Sequence, residues 1–136
     1  MKVISRTLLE SRVSLITDRT YAISLGRAAL GLKLLLDAWK IEGKSQKIAL
    51  PSFLCQSPLA AVLAAGWEPV FCDIDILTAN VNKSEWNRIL DLGVDAILFV
   101  HLFGNTCPTK KIADKCKIEG IHFIEDIAQA LGGTVE

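Results

Sequence analysis

Four short stretches of the chain carry residue types that can do chemistry, and each follows a run of apolar residues. The first is Ser24-Leu25-Gly26-Arg27-Ala28-Ala29-Leu30, in which one glycine leads into a helical pattern. The free N–H groups of a first helical turn, together with the helix dipole, favour an anion such as phosphate. Gly26 lets that anion come close to the backbone, and Arg27 adds positive charge. The same residues also suit an ordinary strand-to-helix turn with no ligand. The spacing is neither a Walker loop nor G-x-G-x-x-G, so nucleotide folds of those kinds gain no support.

The second stretch is Phe123-Ile124-Glu125-Asp126-Ile127-Ala128-Gln129-Ala130. Asp126 stands where an apolar strand ends, which predicts partial burial. A buried carboxylate needs a cation or hydrogen-bond donors. A pyridinium nitrogen is one such partner, and a carboxylate there keeps the ring protonated as an electron sink. Capping the next helix or binding a metal are the other readings. Gln129, one helical turn on, is placed to reach a hydroxyl of the same ring. The third stretch is Pro51-Ser52-Phe53-Leu54-Cys55, where a side chain can lie against a planar ring. Phe53 reads as core packing and Cys55 as a small apolar cover. The fourth is His101-Leu102-Phe103-Gly104. A histidine there can titrate near neutrality, and it equally suits a hydrogen-bonded structural role. Asp73 and Asp75, with Asn80 nearby, read as turn hydrogen bonding rather than paired catalytic carboxylates.

These residues need elements to hold them. Residues 1–20 are mixed, with weak helical character around Leu8 to Leu15, and 21–24 is a short strand candidate. From Gly26 to about residue 41, Ala28, Leu32, Leu35, Leu36 and Trp39 recur at helical spacing. Strands are expected at 47–50, 68–74, 95–101 and 121–125. Helices are expected at 56–65, at 84–90 with Ser84 as cap, and at 108–118 with Pro108 in the first turn. Strands alternating with helices of this length imply right-handed crossovers and a parallel sheet. In such sheets ligands sit beyond the carboxyl ends of strands, which is where all four stretches fall.

The composition agrees with this architecture and narrows the function. A chain of 136 residues that is 51% hydrophobic can bury several strands on both faces. A formal net charge of zero gives no electrostatic footprint for nucleic acid. Cys55, Cys72, Cys107 and Cys116 form no C-x-x-C pair, and His101 and His122 are not at zinc-ligand spacing from them; reduced, mostly buried thiols in the cytoplasm are expected. Charges at Lys2, Arg6, Glu10, Arg12, Asp18 and Arg19 interrupt any signal-peptide core, and no apolar run is long enough to span a bilayer.

Taken together, SLGRAAL, IALPSFLC, AAGWEPVFCDID, AILFVHLFG and FIEDIAQALGG, in that order between Ala22 and Gly133, resemble the DegT/DnrJ/EryC1/StrS sugar aminotransferases. These are fold type I enzymes dependent on pyridoxal 5′-phosphate. The resemblance implies a three-layer α/β sandwich with a mostly parallel sheet, residues 1–136 being the first part of the large domain. It implies that Gly26, Arg27 and Ala28 hold the cofactor phosphate, that Asp126 pairs with the pyridine nitrogen, and that Gln129 lies near the ring hydroxyl. Cys55 matches the position where many members stack an aromatic ring, and Arg27 replaces a more usual Thr or Ser. A nucleotide-linked keto sugar and an amino-acid donor are the implied substrates, and a homodimer the implied assembly of the complete enzyme. The chain is expected to end before the Schiff-base lysine and the small C-terminal domain. Lys110, Lys111, Lys115 and Lys117 read as solvated helix surface. A shortened or split aminotransferase, a non-catalytic remnant or binding module, and a dehydratase-like relative are the readings this leaves.

Overall fold

In the computed structural model, residues 5–134 are described. Helix α1 (Arg6–Thr17) is followed by α2 (Ala28–Trp39), β1 (Lys47–Pro51), α3 (Gln56–Ala64), β2 (Glu68–Cys72), α4 (Lys83–Asp91), β3 (Ala96–Val100), α5 (Lys110–Glu119) and β4 (His122–Asp126). A single 3-10 turn, Leu102–Gly104, follows β3.

The strands pair in parallel in the order β2-β1-β3-β4. The central strands are those whose residues are apolar on both faces. Alternation along them feeds two cores. Ile48, Leu50 and Leu98 pack with Leu32, Leu36 and Val62 under α2 and α3. Ala49, Ile97 and Phe99 pack with Trp86, Ile89 and Cys116 under α4 and α5. Helices thus cover both faces, giving the expected three layers. Full burial of Leu36, Ile48 and Ile97 contributes about 1.5–3 kcal/mol each. Polar bonds tie neighbouring elements together. Trp67 Nε1 donates to the Leu36 carbonyl at 3.1 Å, and the Asp95 carboxylate accepts from the Lys47 N–H at 2.9 Å.

Several local readings differ from the sequence expectation. Residues 21–24 form no strand, because the Ser24 N–H and hydroxyl both donate to Glu10 instead of to a ladder. Helix α4 is capped by Asn82, whose side chain accepts from Glu85 N–H, and Ser84 Oγ donates to that same Asn82 oxygen. Helix α5 starts after Thr109, so Pro108 precedes it rather than occupying its first turn. Phe53 is 53% exposed and lies 6.3 Å from the Phe103 ring, outside the core. All four cysteines are free: Cys72 and Cys116 are buried, Cys107 is half-buried and Cys55 is exposed. Burial pushes the Cys72 thiol up to about 12 and the Cys116 thiol up to about 11. Among the described residues no helix is long and apolar enough to cross a membrane, and no cluster of metal-ligating side chains forms.

Candidate functional site

The carboxyl ends of β1, β3 and β4 lie together because the register aligns Ile97 with Phe123 and Val100 with Asp126, and Ala49 with Ile97. Against α2, from the sheet face at Leu98 and Ile124 out past the tip of β4, is a cavity of about 600 Å³. Ala28 of α2, Cys55 at the start of α3 and Asp126 at the tip of β4 all line it, with apolar walls from Leu32, Leu98 and Ile124. Gly26 and Arg27 are the exposed residues just ahead of Ala28. Another groove of similar volume runs beside α1 and brings none of these residues together.

The start of α2 is unusual in its lack of a cap. Arg27 occupies the N-cap with extended backbone and offers no side-chain hydrogen bond, so only its carbonyl is used, by Leu30 and Gly31. The first amides of a helix need acceptors, and none of the described side chains supplies one here. A Cβ built on Gly26 would meet nothing within 4 Å, so the approach to those amides is open. The segment leading in is fixed from outside. Ser24 N–H and Oγ–H donate to Glu10 Oε1 at 2.7 and 2.8 Å, and Arg6 Nε donates to the same oxygen at 2.8 Å. These bonds, the backbone one from Ser24 foremost, hold the Glu10 carboxyl at about 2.

Asp126 is half-buried. Its Oδ1 accepts from the Ala128 N–H at 2.9 Å, closing a turn in place of the helix expected after β4. Its other oxygen has no partner among the described residues, so one face of the carboxylate remains available. Gln129 is exposed, and its Oε1 accepts from the Phe103 N–H at 2.7 Å. Its amide nitrogen has no acceptor among the described residues, and Gln129 is not among the residues lining the cavity. Phe103 adopts φ 57°, a strained left-handed conformation for a side-chain-bearing residue, in making this contact.

The site residues are therefore an uncapped helix start suited to an anion, an apolar-walled cavity, and a carboxylate with one oxygen left for a cationic or N–H group. Those residues fit a phosphorylated pyridine: an anion for the helix start, a ring nitrogen for the carboxylate, and a ring body for the apolar walls. The sequence reading overlooked four contributors. Glu10 anchors Ser24, and Glu125, Arg19 and Thr109 form a cluster beside Asp126. For Glu125 a signal existed. A carboxylate alternating with Asp126 along β4 must face α5 and find a donor there.

Comparison with known proteins decides the lineage. The family model of the DegT/DnrJ/EryC1/StrS aminotransferase family matches residues 5–136. The chain belongs to that family. Among DegT/DnrJ/EryC1/StrS relatives, the dTDP-4-dehydro-2,3,6-trideoxy-D-glucose 4-aminotransferase of Saccharopolyspora spinosa is 32% identical over 87% of this chain and 30% of its own length. The solved aminotransferase of Psychrobacter cryohalolentis superposes with a TM-score of 0.83 at 28% identity, covering 93% of this chain and 32% of that one. The putative sugar aminotransferase Spr1654 of Streptococcus pneumoniae, solved in its PLP form, superposes with a TM-score of 0.81 at 20% identity, over 96% of this chain and 37% of that one. The last likeness speaks to the fold alone. The chain spans about a third of the length of the relatives it matches.

Proposed function

We propose that residues 1–136 form the first part of the large domain of a pyridoxal 5′-phosphate-dependent aminotransferase acting on a nucleotide-linked keto sugar. An amino acid is the donor, and the complete enzyme is a homodimer. The observation that carries the cofactor part is that Ala28 and Asp126 line one cavity. The family membership and the sugar-nucleotide aminotransferase named among its relatives carry the substrate class.

In this reading the uncapped amides of α2 and the Arg27 side chain bind the cofactor phosphate, with Gly26 leaving the approach open. Asp126 holds a proton on the pyridine nitrogen through the carboxylate oxygen not used by Ala128. Gln129, oriented by Phe103, donates to the ring hydroxyl. Cys55 covers one ring face with a small side chain, and Leu32, Leu98 and Ile124 exclude water. When bound, the protonated pyridine supplies an electron sink for removing a proton next to the amino group.

Pyridoxine 5′-phosphate tests this, since it has the ring and phosphate but no aldehyde to react with surface lysines. The expected result is that it binds more tightly than inorganic phosphate, and that Asp126→Ala weakens it about tenfold or more while leaving phosphate binding intact. Equal affinity for the two ligands, or an Asp126→Ala variant that binds like wild type, would rule the reading out.

A further inference from the structure

We propose that His101 is a positioning residue for the Asp126 carboxylate, acting through Glu125; the inference rests on the cofactor reading above. Glu125 is a node between segments distant in sequence. Its Oε1 accepts from Thr109 Oγ1 at 2.6 Å and lies 3.3 Å from His101 Nε2. Its Oε2 lies 3.4 Å from Arg19 Nη2, which is largely exposed and contributes little. His101 touches the site twice, because its main-chain N–H also donates to the Asp126 carbonyl at 3.0 Å. One residue therefore grips the side chain before Asp126 and the backbone of Asp126 itself.

The ring is a rigid reference point. His101 is 4% exposed, and its ring packs at 4.8 Å on Phe99, which is 3% exposed and part of the core under α4 and α5. A carboxylate only accepts, so Nε2 carries the hydrogen of this contact. Nδ1 is buried with no partner. An unpaired buried polar nitrogen is costly, and an aliphatic side chain would fill this space without that cost. The bond from Nε2 to Glu125 is what an imidazole offers here and a leucine does not. Its effect is to fix the rotation of β4 at the tip, and with it the direction in which Asp126 points into the cavity.

The test compares three substitutions in the chain. Gln places an amide nitrogen where Nε2 lies, whereas Asn places one where Nδ1 lies, so His101→Gln keeps the bond to Glu125 and His101→Asn and His101→Ala lose it. The readouts are the affinity for pyridoxine 5′-phosphate and the 15N shift of its labelled ring, measured where the free ligand has lost its ring proton. His101→Asn and His101→Ala are expected to bind about tenfold more weakly and to lose the protonated-ring signal, with His101→Gln within about twofold of wild type. Should Gln and Asn behave alike, or all three variants keep a protonated ring, the positioning role is overturned while the cofactor reading stands. Should wild type itself bind no ligand, or match Asp126→Asn in ring signal, both fall together.

Discussion

Helices α2 and α4 each begin just past the carboxyl end of a strand or an extended segment, yet their first turns are built in opposite ways. At α4 side chains from within the chain serve the first turn. Asn82 caps the helix, and Glu85, nearly buried, accepts from the Asp73 N–H at 3.0 Å and from the Arg88 guanidinium at 2.8 Å. The guanidinium holds the Glu85 carboxyl below the usual carboxylate range. At α2 no side chain caps the helix, Gly26 is open, and a cavity containing Asp126 lies alongside. A helix start capped by its own chain stabilises the fold; one left uncapped beside a cavity and an unpaired carboxylate oxygen is, in the proposed reading, the place of the cofactor phosphate.

That contrast can be broken from either side. The largest effect is expected from Arg27→Asp, which supplies a cap and replaces a cation with an anion. Affinity for pyridoxine 5′-phosphate should fall by about thirtyfold, while the unliganded chain gains about 0.5–1 kcal/mol. Titration calorimetry and urea unfolding measure the two halves, and a loss in both would contradict the account. Next is Glu85→Ala, which strands the Asp73 N–H and the Arg88 partner. A loss of about 2 kcal/mol in urea unfolding is expected, with ligand affinity unchanged. Asn82→Ala should cost about 1 kcal/mol by the same measure, again without touching affinity.

The smallest effect concerns acid. Glu10 has its carboxyl lowered from 4.5 to about 2 by its bonds to Ser24 and Arg6. A lowered folded-state value means its contribution is present above about 4.5 and is lost as pH falls toward 2. Glu10→Gln should therefore flatten part of the acid limb of a thermal-stability profile between those values. An unchanged acid limb would show that the anchor on Ser24 adds nothing.

The alternation of strands and helices was legible because β1 and β3 are apolar on both faces, a pattern only buried parallel strands need. The cavity-lining positions followed from it, since Ala28, Cys55 and Asp126 each sit just past an apolar run. What local pattern missed depends on distant partners. Residues 21–24 read as a short strand candidate, but the Ser24 groups that would join a ladder are taken by Glu10 from α1. Phe53 has the character of a core residue, yet the turn after β1 carries it outward toward Phe103. Asn82 and Ser84 are both capping types two positions apart, and only the geometry chooses between them. The His101–Glu125 contact spans 24 residues and exists only because β3 and β4 pair in register.

The central claim is that the opening turn of α2 and the tip of β4 hold opposite ends of one ligand. Amide chemical-shift mapping of the 15N-labelled chain during titration with pyridoxine 5′-phosphate tests it most directly. The account predicts that the amides of Ala28 and Ala29 and those of Asp126 and Ala128 move together on one saturating curve. Shifts confined to one of these two groups, or centred on the α4 and α5 face, would contradict it.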